Sequence, residues 1–224
     1  MEKNMPVIKM SELRPVGEFG SKAWGEACAE ASTKILEAAD LPDDINWAFT
    51  ENYMHPPARL MDGGRKHAGY YIMVKDGKVT AGDGLIDEAL TLPGFHAQLP
   101  WAFIANQSGE LYGREGQQQR SKDEAVLMKG IADYVGRENP FNLPLDKEGD
   151  PSYMLKPAVW PREIGLALGD GSEDGNGLHN IAATLQTNSP EFNNLPVTRM
   201  GVPVLSEMSD EEKIGFLSLC GVEV

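Results

Sequence analysis

The segment "AGYYIMVKDGKVTAGDG", residues 68–84, constrains the fold most, because it predicts a β-hairpin with a defined register. Asp76 and Gly77 stand between two runs rich in β-branched and aromatic residues, which is typical of a two-residue type I′ turn. Pairing outward from that turn places one set of side chains on a single face. This set lacks the lysines of the other face, so we expect it to face the core: Tyr70, Ile72, Val74, Val79, Ala81 and Asp83.

A second strand is predicted in "DINWAFTENYMHPPARLM", residues 44–61, where it runs from Ile45 to about Tyr53. Alternation places apolar residues on one face and then continues that face with a carboxylate, a phenol and an imidazole. A buried carboxylate is costly unless it is paired, and its pKa rises towards neutrality, as a general acid or base requires. We therefore expect Glu51 to be functional and the polar members to lie at one internal pocket. In order, this face carries Ile45, Trp47, Phe49, Glu51, Tyr53 and His55.

The elements around these strands come from helical and extended patterns. Residues 1–20 indicate an extended arm, and Ser21 fits the N-cap of a helix that ends before Leu41. After the hairpin we expect a further strand that ends at Leu92. Residues 96–107 are apolar and ambiguous, with a short helix followed by a strand as one interpretation.

Two capping boxes predict later helices. Ser121 with Glu124 predicts a helix that ends at Val135 before Gly136, and Ser209 with Glu212 predicts a final helix. The final helix is expected to bury Ile214, Leu217 and Cys220.

The stretch between these two helices is rich in proline and glycine. Residues 137–208 are therefore predicted to be mostly irregular, apart from a short helix in "LHNIAATLQT". The glycine-rich run "LGDGSEDGNG" within that stretch is interpreted as a solvated turn.

The predicted order indicates an α+β fold. We expect an N-terminal helix packed on a curved, mainly antiparallel sheet that encloses an apolar cavity, followed by a long irregular extension and a final helix. The corresponding units are an arm (1–20), a ligand-binding domain (21–136) and an extension (137–224) that packs on the domain or on a partner subunit of a homodimer.

Composition excludes several classes of function. The net charge of −14 over 224 residues disfavours nucleic-acid binding. Cys28 and Cys220 lack any metal-ligand spacing and fit reduced core cysteines of a cytoplasmic protein. There is no signal-peptide pattern and no apolar run of the roughly 20 residues that span a bilayer, so we expect no membrane insertion. No phosphate loop, dinucleotide motif or helical histidine pair occurs, so neither a cofactor nor a metal is expected.

The candidate site follows from the polar residues near one end of the predicted strands. Glu51 or Asp83 is the candidate base, His55 or His67 the acid, and Tyr53 an oxyanion or phenolate partner. Alternatively, any of these residues is exposed at a strand end or belongs to a structural ion pair. The candidate substrate-binding residues are Trp47, Phe49, Arg59, Tyr70, His96 and Trp101.

Three phrases of the first 135 residues resemble the sterol-carrier-protein-like family: "INWAFTENY", "YYIMVKDGKVTAGDG" and "DEALTLPGF". The segment "VLMKGIADYVGRE" stands where that family has a "GKxxxxG" strand, although here it predicts a helix. The resemblance implies a tunnel for a hydrophobic ligand beneath a curved sheet, and it does not imply catalysis. Residues 137–224 have no counterpart in the family. The cone-shaped α+β barrel of nuclear-transport-factor-like enzymes is an architectural alternative with a similar cavity.

Two functions of different classes remain open. The first is a cofactor-independent lyase, isomerase or dehydratase that acts on a hydrophobic, aromatic small molecule by proton transfer. The second is a non-catalytic carrier in which the same residues anchor the polar end of a ligand. Several titratable groups near one rim favour the enzyme, since a carrier needs only one or two.

Overall fold

The computed structural model describes residues 8–108, 113–169 and 177–224, and it confirms the mixed α+β class. The strands of its main sheet are β2 (Trp47–Met54), β3 (Ala68–Lys75), β4 (Lys78–Asp83) and β5 (Gly94–Pro100). This sheet is curved and open, with the strand order β4-β3-β2-β5. Strands β2, β3 and β4 are antiparallel neighbours, whereas β5 runs parallel to β2.

The predicted hairpin is confirmed in its turn and its register. Asp76 and Gly77 both have positive φ, 50° and 70°, as a type I′ turn requires. Val74 pairs with Val79, and the next pairs outward are Ile72 with Ala81 and Tyr70 with Asp83. On β3 the members of this set are fully buried, and on β4 the apolar members pack against the same core.

Helix α1 (Lys22–Glu37) covers the core face of the hairpin. The Ser21 hydroxyl caps it by accepting a hydrogen bond from the Trp24 backbone N–H, as predicted. The Trp24 indole in turn donates to the Ala182 carbonyl oxygen at 2.9 Å, which ties the C-terminal extension to this helix. The core face of β2 is also the predicted one, because Trp47, Phe49 and Tyr53 are all buried there.

Two predictions after the hairpin are wrong. Residues 87–91 form a short helix, α2 (Asp87–Thr91), instead of continuing a strand. Acidic residues in its first turn suit a helix N-terminus, and Ala89 packs on the outer face of the sheet. Within residues 96–107 the order is the reverse of the predicted one, since β5 comes first and α3 (Trp101–Ile104) follows directly after Pro100.

Helix α4 (Arg114–Val135) begins earlier than predicted. Gly113 is its N-cap, so Ser121 lies inside the helix and the predicted capping box there is wrong. Propensity alone fails at this start, because the first turns are stabilised by tertiary contacts of Arg120 rather than by a local cap. The predicted end is confirmed: Gly136 has φ 73° and its N–H donates to the Ala132 carbonyl.

The extension packs on the rest of its own chain. It contains α5 (Arg162–Leu168), which was not predicted, and α6 (Leu178–Leu185), which was. A two-residue strand, β6 (Gln186–Thr187), pairs in parallel with β1 (Gly17–Glu18) of the N-terminal arm. Most of the glycine-rich run "LGDGSEDGNG" lies outside the described residues.

Helix α7 (Asp210–Leu219) closes the chain with the predicted capping box between Ser209 and Glu212. Leu217 and Cys220 are buried as expected. Ile214 is 53% exposed, which corrects the prediction for that residue. The buried stripe is centred on Phe216, Leu217 and Cys220, and Ile214 falls at its solvent edge.

Gly69 allows β3 to approach β2 beside Glu51. Its φ is 140°, and a Cβ at this position would collide with the Glu51 carbonyl oxygen. We expect Gly69→Ala to lower the free energy of unfolding by more than the roughly 1–3 kcal/mol of backbone strain alone. Urea denaturation measures this, with Gly63→Ala as the control, because Gly63 also has positive φ but a methyl group there would meet no heavy atom of the described residues within 4 Å. Equal losses in the two variants would contradict the steric argument.

Candidate functional site

A pocket of about 180 Å³ lies on the core face of the sheet, above the edge formed by β2 and β5. The parallel register places Glu51 beside Ala97, with the larger Phe95 and Leu99 on either side of Ala97. Because the Ala97 side chain is a single methyl group, a cavity remains above the sheet next to Glu51. Helices cover this cavity from the other side. The apolar wall comes from β5 and α3: Phe95, Ala97, Leu99 and Ile104.

The opposite wall is polar and is assembled from segments far apart in sequence. Helix α4 supplies four of its side chains, and α6 supplies His179 from its first turn. The full set of polar members is Glu51, Gln107, Gln117, Arg120, Ser121, Glu124, Tyr153 and His179. The wholly apolar cavity expected beneath the sheet is therefore not confirmed, since the pocket joins an apolar wall to a polar one.

Glu51 is the member that sequence reasoning singled out. Its side chain is only 12% exposed, and its Oε1 lies 4.0 Å from Nε2 of His179. The Tyr53 hydroxyl donates a hydrogen bond to Oε2 of Glu51. Burial, followed by the negative charge of Glu51, raises the pKa of Tyr53 well above its usual value. Tyr53 therefore stays protonated near neutral pH and orients the carboxylate as a donor, which does not fit the phenolate role.

A second carboxylate, Glu124, faces the same pocket from α4 and was not predicted as a site residue. It accepts a hydrogen bond of 2.8 Å from Nε of Arg120, and the two side chains are 13% and 7% exposed. Burial raises the pKa of Glu124 although Arg120 and then His179 oppose that shift. The site thus holds two carboxylates in different environments, an arrangement that separates the roles of acid and base in many enzymes.

Tyr153 reaches the pocket because residues 153–159 run along the free edge of β5. The Tyr153 carbonyl accepts from the Gln98 N–H at 2.8 Å, and the Leu155 N–H donates to the His96 carbonyl at 2.9 Å. Covering a sheet edge in this way also protects it from pairing with another chain. Burial, and then the charges of Glu124 and Glu51, raise the pKa of Tyr153 to about 12.

Three predicted catalytic residues are not brought together with Glu51. Asp83 forms a largely buried ion pair with Arg65, and His67 lies beside them. Asp83 is the last residue of β4, the strand at the opposite edge of the sheet from β5. His55 is exposed, and its ring packs against Gly221, so the expectation that it lines the same pocket as Glu51 is corrected.

The predicted substrate-binding residues belong to the core or the surface rather than to the pocket wall. Trp47 and Trp101 are fully buried, and each indole donates to a backbone carbonyl. Phe49 does not line the pocket, but its ring stacks on that of Phe95, which does, with ring centroids 5.2 Å apart. Tyr70 is buried against Trp24 and Phe49. Arg59 forms ion pairs with Glu18 and Glu191 at the surface.

His96 faces the other side of the sheet, where it is fully buried. Its Nε2 lies 3.1 Å from the Leu92 carbonyl, so this nitrogen carries the hydrogen and Nδ1 accepts from Thr50 at 2.9 Å. Burial, and then the charge of Lys156, lower the pKa of His96. His96 is therefore a neutral structural residue in this fold.

A depressed histidine pKa predicts loss of stability in acid. Above about pH 6.5 His96 is neutral in both the folded and the unfolded state, and it contributes no pH dependence. Below that pH the unfolded chain binds a proton that the folded chain does not, so stability falls until the folded pKa is reached. We expect the urea midpoint of the wild type to fall more between pH 7 and pH 5 than that of His96→Gln. His55→Gln serves as the control, because His55 is exposed, and its urea midpoint is expected to fall as much as that of the wild type. If the midpoint of His96→Gln also fell as much as that of the wild type, the assignment of the acid sensitivity to His96 would be contradicted.

The residues that sequence reasoning missed follow a detectable pattern. On α4 the buried apolar stripe of Leu127 and Ile131 continues towards the N-terminus at the same spacing as Gln117, Arg120 and Glu124. A polar continuation of an apolar stripe is the same signal that marked Glu51 on β2. The sequence does not reveal this signal on α4, because the capping box predicts a helix that begins at Ser121. Gln117 and Arg120 precede Ser121 and so fall outside the predicted helix.

Among the described residues, no group of three or more histidine, cysteine, aspartate or glutamate side chains is arranged to hold a metal ion. No helix in the described ranges combines the length and apolarity needed to cross a bilayer. Comparisons of the chain with protein-family models, with curated proteins and with solved structures found no match.

Proposed function

We propose that this chain is a cofactor-independent enzyme that catalyses proton transfer on a small hydrophobic, aromatic molecule. The observation that carries the proposal is the position of Glu51, a mostly buried carboxylate on a pocket wall with an imidazole 4.0 Å away. A carboxylate held out of water beside a second proton carrier is the usual arrangement for general acid–base catalysis. The reaction class is that of a lyase, isomerase or dehydratase.

Each side chain has a definite role in the proposal. Glu51 removes a proton from carbon, and its orientation is fixed by the hydrogen bond from Tyr53. His179, whose side chain is 39% exposed, exchanges protons between the pocket and solvent and acts as the acid. The apolar wall of Phe95, Leu99 and Ile104 holds the hydrophobic body of the substrate. The volume is below the roughly 300–1,000 Å³ of typical drug-sized pockets, which favours a substrate of about one ring.

A non-catalytic carrier is the second candidate, and one observation favours it. Hydrogen bonds such as Tyr53–Glu51 and Arg120–Glu124 also occur in polar networks that only stabilise a fold. Carboxylates held in such a network need not take part in proton transfer. In that case the polar wall would anchor one end of a ligand and no bond would change.

The two candidates are separated by incubating the protein in D₂O with a panel of one-ring hydrophobic compounds that carry carbonyl, hydroxyl or carboxyl groups. Proton NMR reports deuterium entry at carbon, isomerisation and loss of water in one experiment. The enzyme proposal expects at least one of these changes with the wild type and none with Glu51→Gln. Compounds that bind to saturation without any of these changes would establish the carrier instead.

A further inference from the structure

The charge balance of the pocket restricts its ligand, on the basis of the proposed function. Its wall carries two carboxylates, Glu51 and Glu124, and one guanidinium, Arg120. All three guanidinium nitrogens are already engaged: Nε donates to Glu124, and the other two donate to the carbonyl oxygens of Met200 and Phe103 at 2.7 Å each. Three of the five N–H donors of Arg120 are thus taken by protein acceptors, and its charge is paired with that of Glu124. An anionic ligand in this pocket would in addition be repelled by the Glu51 charge.

Gln117 supplies the complementary observation. It lines the pocket one turn before Arg120, and in the orientation of this amide its Nε2 is buried with no hydrogen-bond partner within the described part of the chain. Buried donors in folded proteins are nearly always paired, because an unpaired one forfeits its hydration. An amide nitrogen only donates, so the missing partner is an acceptor, and an ammonium group would present a second donor to it.

We propose that the pocket takes a neutral carbonyl compound with an apolar ring, and that Gln117 donates to its oxygen. The Glu51 carboxylate takes a proton from the carbon next to the carbonyl. The electron pair of that C–H bond forms the enolate, and the negative charge that develops on oxygen is stabilised by the Gln117 N–H. Return of the proton from Glu51 to the same carbon completes exchange and restores the carboxylate. In a β,γ-unsaturated ketone, return of the proton to the carbon two positions further from the carbonyl completes isomerisation instead.

Three one-ring probes of similar size test the ligand class: acetophenone is a neutral ketone, benzoate an anion and benzylamine a cation. Ligand-observed NMR titration gives their dissociation constants, and D₂O exchange of the acetophenone methyl protons gives the rate. We expect the wild type to bind acetophenone about tenfold or more tightly than benzoate or benzylamine. Equal or tighter binding of either charged probe would overturn the carbonyl assignment.

Two variants test the role of Gln117. Gln117→Leu removes the donor, and Gln117→Glu keeps the shape but replaces the donor with an acceptor. We expect both to weaken acetophenone binding, Leu by roughly 2- to 12-fold, the usual range for one neutral hydrogen bond, and Glu by more. Gln118→Leu is the matched control, because Gln118 is exposed one residue further along the same helix. Wild-type affinity for acetophenone in both Gln117 variants would overturn the assignment, and the urea midpoints establish that each variant is folded.

The same data separate this inference from the proposed function. Selective, Gln117-dependent binding of acetophenone, with no reaction of acetophenone or of any other compound of the panel, would contradict catalysis and leave the ligand class in place. Proton exchange on other compounds of the panel, with no preference for acetophenone and no effect of Gln117, would leave the enzyme in place and overturn the carbonyl assignment.

Discussion

Glu51→Gln is expected to lower turnover by about 10²- to 10⁴-fold, the usual contribution of a positioned general base. Glutamine keeps the shape of the side chain and an oxygen that accepts from Tyr53, so the fold and the pocket are preserved. It loses only the ability to take a proton. The measurement is the exchange or conversion rate for the best compound of the panel, beside its dissociation constant and the urea midpoint.

The control for this variant is Glu37→Gln, which makes the same chemical change at an exposed position of α1. It is expected to behave as the wild type in all three measurements. A purely structural Glu51 would give the opposite pattern: Glu51→Gln would lower stability by roughly a kcal/mol or more and leave turnover intact.

Arg120→Met is expected to have the largest effect on stability, about 3–5 kcal/mol, because it leaves a buried charge without its partner. Glu124 would remain buried without its guanidinium partner, and the carbonyl oxygens of Met200 and Phe103 would each lose a donor. Guanidinium denaturation with two-state analysis measures the loss. Lys129→Met is the matched control, since Lys129 pairs with Asp133 on the same helix at the same spacing, but with side chains 75% and 66% exposed. Exposed pairs contribute about 0–1 kcal/mol.

The pH dependence of Arg120→Met follows from Glu124. Burial already raises the folded pKa of Glu124 with Arg120 present, and removing the guanidinium raises it further. A carboxyl group whose folded pKa lies above its unfolded value favours the folded state at low pH and loses that contribution as pH rises through the folded pKa. The loss in Arg120→Met is therefore expected to be larger at pH 8 than at pH 5, and the double variant Arg120→Met/Glu124→Gln should recover part of it. A pH-independent loss of less than about 1 kcal/mol would contradict the buried-pair account.

Local patterns were enough to predict the hairpin, the core face of β2 and the caps of α1 and α7. In each of these, turn chemistry, alternation or a capping side chain acts within a few residues of sequence. The short helix α2 and the start of α4 were not predicted, because neither has a side-chain cap and both are stabilised by packing against distant parts of the chain. Local propensity decides little where tertiary contacts are strong.

Of the candidate site, the sequence predicted Glu51 and its hydrogen-bond donor Tyr53, and missed the residues that other elements bring to the pocket. Glu51 is recognisable because strand alternation fixes its face without reference to any other element. His179, Glu124 and Tyr153 reach the pocket only through the placement of α6, α4 and the segment beside β5. That placement depends on long-range packing, which no local pattern encodes. Asp83 shares the face of Glu51 as predicted, but it lies on a strand at the far edge of the sheet, where it pairs with Arg65.

Chemical rescue tests the central claim, that the Glu51 carboxylate is the base of this pocket. Glu51→Ala removes the carboxylate and leaves space in a pocket that formate can enter. The measurement is the rate of deuterium entry into the best compound of the panel as formate replaces chloride at constant ionic strength. We predict a rate near background without formate that rises with its concentration in Glu51→Ala, and no such rise in the wild type. A Glu51→Ala protein that exchanges at the wild-type rate without formate would contradict the claim.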